Sequence, residues 1–209
     1  MTEPRPRRPA LFGPAVLASV PGGADPAQLA EAAHATAQLI VYRGRHSGDA
    51  ATTARLVNLV DELGLETVAS WWSDRPARSL PGALWRLYVL REWVRRDPAG
   101  ATADYEAGRY VAHVPRVVAG AEEPPTAQGL RELLDKILGG VFHGDLDVAL
   151  ERAAAFCRVV AAGRAFRADG LAPDDDGAGQ RLTERAASLI TTAEDLEADA
   201  RLWRAGELD

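Results

Sequence analysis

Residues 79–98 read SLPGALWRLYVLREWVRRDP, and the spacing of apolar positions within them decides the fold. At about 100° per residue, Ala83, Leu87, Leu90 and Val94 fall on one helical face, which Leu84 and Tyr88 widen. Trp85, Val89 and Trp93 form a second face. A helix apolar on two faces packs on more than one side, so this segment is predicted to be the central helix of its domain. Ser79 is its expected N-cap, with Pro81 in the first turn, and the helix stops before Pro98.

Working outward, the remaining apolar segments also carry helical rather than alternating period. Asp25-Pro26 opens a helix expected to run to about Tyr42 and to end at Gly44. Ser47 or Asp49 starts a second, with Leu56, Val57, Val60 and Leu63 on one face, closed by Gly64. LETVASWWSD is a short third helix. Beyond the central helix, Ala101 to about His113 is helical. Thr126 caps a helix through about Leu138, and Gly144-Asp145 starts another through about Ala162. The last covers about Gln180 to Ala205. The expected fold is therefore all-α: a bundle of seven to eight helices around a central Trp/Arg-rich helix. Residues 1–24 are expected to be a Pro/Arg-rich tail and irregular segment, 25–168 the helical core, 169–179 an Asp/Gly/Pro-rich linker, and 180–209 an amphipathic C-terminal helix.

In that last helix Leu182, Ala186, Leu189, Ala193, Leu196, Ala200 and Trp203 follow heptad spacing, with alanine alternating with a larger residue. The seam must pack on the chain's own bundle, the preferred reading, or on a second subunit. LVNLVDEL (56–63) and LRELLDKI (130–137) echo each other. Each precedes a helix with Ala-Leu-x-Arg, at Ala83 and at Ala149, which suggests a duplicated helix pair.

Composition narrows the functional classes. Of 209 residues, 47% are hydrophobic and 26% charged, an ordinary soluble composition. A net charge of −6 argues against a general nucleic-acid binder. Lys136 is the only lysine, so positive charge is almost all arginine. Cys157 is the only cysteine, which excludes an internal disulfide and a thiolate cage and fits a cytoplasmic setting. The arginines before the short apolar run at the N-terminus have the order of a signal peptide, but Gly13 and Pro14 break the run. No stretch approaches the ~20 apolar residues of a membrane span.

Several patterns resemble chemistry and fail on inspection. His143-Gly144-Asp145-Leu146 resembles the catalytic loop of aminoglycoside-phosphotransferase-like kinases. Leu150, however, stands where magnesium-binding asparagine is needed, and no glycine-rich strand pair lies upstream. Asp145 is read instead as a helix N-cap. Glu31-x-x-His34 has the spacing of carboxylate-bridged di-iron bundles, which need the motif twice. A site from His34, His113 and Glu92 is the remaining combination, and a solvent-facing or capping His34 is preferred to it. A calcium loop counted from Asp174 places Ala178 and Arg185 at ligand positions. The turn in DELGLETVASWW has helix-turn-helix character, but Trp71-Trp72 suits a core. Cys157, inside an apolar helix, is expected to be a buried small hydrophobe. No metal, cofactor or catalytic residue is assigned.

LPGALWRLYVLREWVRRDP and GDLDVALERAAAFCRVVAAG resemble segments of helical proteins of high-GC bacteria that carry no assigned activity, over about residues 55–165. The resemblance implies a self-contained family and supplies no site residue. Two functions stay open. The first is a non-enzymatic, cytoplasmic helical interaction or regulatory module whose partner is another protein or a second copy. The second is a small-molecule pocket for an anionic ligand beside the central helix, bordered by Trp85, Tyr88, Arg91, Glu92 and Tyr105.

Overall fold

The protein is described here by a computed structural model covering residues 25–111, 125–170 and 176–209. Among these residues there are nine helices and no strand, an all-α fold packed as a bundle. The helices are α1 (Pro26–Ser47), α2 (Ala50–Val57), α3 (Leu59–Leu63), α4 (Leu65–Trp72), α5 (Leu80–Arg96), α6 (Pro98–Gly108), α7 (Ala127–His143), α8 (Leu146–Asp169) and α9 (Asp176–Ala205). The N-terminal segment 1–24, His113, and residues 171–175 of the expected linker lie outside the described residues. No helix among the described residues is long and apolar enough to cross a membrane.

Local signals set most starts. Asp25 accepts from the Ala27 amide at 3.0 Å, Ser79 from Gly82 at 3.2 Å and Thr126 from Gly129 at 2.9 Å. Asp49 accepts from the Ala51 and Thr52 amides and from the Thr52 hydroxyl, which holds its carboxyl below the usual range. Asp145 occupies the cap position of α8, but its side chain makes no capping bond.

Tertiary packing moved several ends. α1 runs past Gly44 to Ser47 because Gly44 is pressed against α7, where a Cβ would lie 2.7 Å from Phe142 Cβ. Gly48, at φ 55°, ends the helix instead. The expected single helix before Gly64 breaks at Asn58 into α2 and α3, which leaves the Asn58 side chain turned to Arg91. α6 starts at Pro98, not Ala101, with Asp97 accepting from the Gly100 amide at 2.9 Å, and it ends at Gly108. α7 continues through Gly139-Gly140 to His143, α8 runs on to Asp169, and α9 begins at Asp176. The two echoing segments are not equivalent: 130–137 lies within one helix that leads into α8, whereas 56–63 spans the break and is separated from α5 by α4.

α5 is central in that it touches α1, α4, α6, α7, α8 and α9. Its first face is buried throughout, with Ala83, Leu84, Leu87, Tyr88, Leu90 and Val94 each at most 5% exposed. α8 is apolar over most of its circumference, and Cys157 is fully buried within it, its thiol pushed up to about 12 by burial. α9 lays Ala186, Leu189, Ala193, Leu196 and Ala200 into the core, mainly against α8. Arg158 meets Glu197 at 2.7 Å, and Arg204 meets Asp147 and Glu151 at 2.7 Å each, so the two helices run antiparallel. α6 and α8 touch backbone to backbone: a Cβ on Gly163 would lie 1.7 Å from the Asp104 carbonyl oxygen, and one on Gly108 1.8 Å from that of Val159.

Candidate functional site

The second face of α5 is not buried as its sequence suggests. Trp85 and Trp93 are half-buried and Val89 is 38% exposed. The reason lies across the gap. α9 opposes this face with Arg185, Ser188 and Thr192 beside a single seam residue, Leu189, and the short serine and threonine leave the tryptophans uncovered. The result is a cleft of about 610 Å³ between α5 and α9. That is within the ~300–1,000 Å³ of small-molecule sites.

The floor of the cleft is Trp85, Val89 and Trp93. Trp85 and Trp93 are two helical turns apart, about 12 Å along the axis. Arg86 pairs with Asp195 at 3.3 Å, and the Leu80 amide donates to the Asp209 main-chain oxygen at 2.7 Å. Higher positions on one segment thus face lower positions on the other, so α5 and α9 run antiparallel. Arg75 belongs to the connection that meets Arg86 through the Ala77 carbonyl, Thr192 stands opposite Val89 in that register, and Asp97, Arg164, Arg185 and Ser188 lie toward Trp93.

Four guanidinium groups line this cleft against one carboxylate, that of Asp97. Two are already engaged. Arg86 also donates to the Gly82 carbonyl at 3.0 Å. Arg164 donates from Nε to Asp104 at 2.6 Å and lies with Cζ 4.6 Å from the Trp93 ring centre, a cation–π contact that fixes one wall. Arg167 also pairs with Asp104. The other two, Arg75 and Arg185, have no ion-pair or hydrogen-bond partner among the described residues. Arg75 Nε is moreover buried without an acceptor.

Of the five residues expected to border a pocket, Trp85 alone lines the cleft. Tyr88 and Arg91 belong to the opposite, buried side of α5. The Tyr88 hydroxyl donates to the Leu56 carbonyl at 2.6 Å, and the ring stacks on Trp72. Burial raises the Tyr88 pKa. Arg91, 1% exposed, is saturated: Nε meets Asp135 at 2.6 Å, Nη2 meets Asn58 at 2.6 Å, and both terminal nitrogens reach Asp61 at 3.3 Å. Glu92 pairs with Arg96, whereas Arg95 turns to Asp61. Tyr105 is buried against Phe156. Tyr88, Arg91 and Tyr105 hold helices together and Glu92 pairs within α5, and the residues on the opposite side of α5 form the cleft.

Arg75, Arg185, Ser188 and Thr192 escaped the sequence reading. The last three share the polar flank of α9 beside its seam, a pattern indistinguishable from solvated surface until α5 is placed opposite. Arg164 carried a usable signal, being an arginine deep in an apolar helix. Among the described residues, no group of three or more His, Cys, Asp and Glu side chains is placed to hold a metal ion, and His34 lies half-buried on α1.

One turn past Asp195, Asp199 is fully buried with neither carboxylate oxygen hydrogen-bonded. Burial raises its pKa to about 7, and the neighbouring Asp195 adds to the rise, against the pull of Arg86 and Arg78.

No protein family matches the chain, and no curated protein or solved structure matches it either.

Proposed function

We propose that this chain binds a small organic anion with an apolar or aromatic body in the cleft between α5 and α9. The observation that carries the reading is the pair of guanidiniums without a partner among the described residues, Arg75 with its Nε buried and Arg185 exposed, in a cleft floored by Trp85, Val89 and Trp93. Indole rings give such a ligand flat apolar contact, and arginine gives it a planar, permanently charged fork of donors. Binding rather than turnover is the role, since the ionisable groups lining the cleft are guanidiniums and the helix-capping Asp97. The α9 seam, which would have served a dimer, is packed within the chain against α8.

The test uses the aromatic sulfonate 8-anilinonaphthalene-1-sulfonate, titrated into the folded protein while tryptophan emission is followed. Saturable quenching with about one site per chain is expected, and it should be lost in Val89→Glu, which sets a carboxylate on the cleft floor. Absence of saturable binding, or equal binding by Val89→Glu with an unchanged circular dichroism spectrum, overturns the reading.

A further inference from the structure

The two ends of the cleft are not alike, and on the reading that it holds an organic anion, the difference specifies the ligand. We infer that the occupant is an amphipathic monoanion, its carboxylate or phosphate head held by Arg75 beside Arg86 and its apolar tail laid along Trp85, Val89 and Trp93.

The surroundings of the unpartnered arginine at each end support this polarity. Near Trp85, three arginines converge from the α4–α5 connection and α5. Arg78 and Arg86 share one ionised partner, Asp195, and Arg75 has none. Near Trp93 the same pattern recurs: Arg164 and Arg167 share the Asp104 carboxylate, and Arg185, without a partner among the described residues, shares its end with Asp97. Burial, rather than the count of charges, separates the two ends. Arg185 is exposed, where a charge is screened and contributes little. Arg75 is half-buried with an orphaned Nε, so an incoming anion gains more there.

The floor between the ends is apolar for about two helical turns, ~12 Å, which is the reach of a medium-length alkyl chain or a linear arrangement of rings.

Dodecanoate, dodecyl phosphate, dodecanol and hexanoate, each below its aggregation threshold, are compared by displacement of 8-anilinonaphthalene-1-sulfonate from the full chain. Dodecanoate or dodecyl phosphate should bind about tenfold or more tighter than dodecanol. Whichever of the two binds tighter identifies the head group. Dodecanoate should exceed hexanoate by about a hundredfold or more, because added methylenes stay on the tryptophan floor. Arg75→Gln should weaken dodecanoate by about tenfold while leaving dodecanol unchanged, and Arg185→Gln should shift it by less than about threefold. Equal affinity for dodecanol and dodecanoate, no dependence on chain length, or a larger loss in Arg185→Gln overturns the assigned head and tail. In each of those cases the sulfonate still binds and the cleft keeps its proposed role. Failure of the sulfonate itself removes both.

Discussion

Asp195 and Asp199 stand one turn apart on the same flank of α9, yet only Asp195 meets arginine. It pairs with Arg78 at 3.6 Å and Arg86 at 3.3 Å, and Asp199, fully buried, meets no hydrogen-bond donor. The sequence shows two equivalent acids, and the packing of α9 against the start of α5 makes them opposite in behaviour.

The first prediction concerns pH. Asp199 has a folded pKa of about 7 against an ordinary value of 3.8. Between those values the folded state keeps a proton that the unfolded state has released, so stability falls as pH rises through that window. Arg86, Arg78 and Asp195 face the group and set the size of the effect. Asp199→Asn should abolish this component and be the more stable protein at pH 8, by no more than about 4 kcal/mol. Urea midpoints of both proteins at pH 5 and pH 8 check it, and a variant less stable than wild type at pH 8 contradicts it.

The tryptophans should separate by burial. Trp72 is fully buried and donates to Thr36 Oγ1 at 3.3 Å, so Trp72→Ala should cost about 3–5 kcal/mol. Trp93 is half-buried on the cleft floor, and Trp93→Ala should cost less, about 1–3 kcal/mol. Equal losses in chemical denaturation would mean that the cleft is closed in solution.

Arg91 should be the most sensitive charged position. Arg91→Ala leaves Asp135, Asp61 and Asn58 around an empty buried space, at a cost of about 3–5 kcal/mol. Lysine keeps the charge but cannot fork to three partners, so Arg91→Lys should fall between wild type and alanine. Thermal unfolding of the three proteins gives the order directly.

Two glycines in neighbouring helices should respond in opposite senses. Gly163→Ala forces a methyl into the Asp104 carbonyl of α6 and should destabilise by about 3 kcal/mol or more. Gly140→Ala meets only Ala149 Cβ at 3.6 Å and should stabilise α7 by about 0.5–1 kcal/mol. Midpoints shifted the same way would show that the α6–α8 contact relaxes.

What the sequence revealed and what it hid follow from the range of the interactions involved. Helical period and caps act within a few residues, so Ser79, Thr126, Asp49 and Asp25 announce their helices directly. The missed boundaries depend on distant partners. Gly44 looks like a stop until Phe142 lies on it, and Asn58 looks helical until Arg91 draws its side chain away. The expected pocket was placed on the right helix, with aromatic and arginine content correctly singled out, but across both of its faces. Tyr88 and Arg91 differ from Trp85 and Trp93 only in what the other helices set opposite them.

The glycine contact between α6 and α8 also has a mechanical consequence. Backbones that touch without intervening side chains leave no room to slide, and Asp104 locks Arg164 and Arg167 across the same junction. Since Arg164 lies on the Trp93 ring, that side of the cleft behaves as a fixed jaw. The opposite side ends in the Ser73–Ser79 connection, which is hydrogen-bonded to α5 and pressed on it at Gly82, where a Cβ would lie 2.0 Å from the Pro76 carbonyl oxygen. Both ends of the cleft are therefore braced through glycine contacts, so an occupant must fit the shape it meets rather than reshape it.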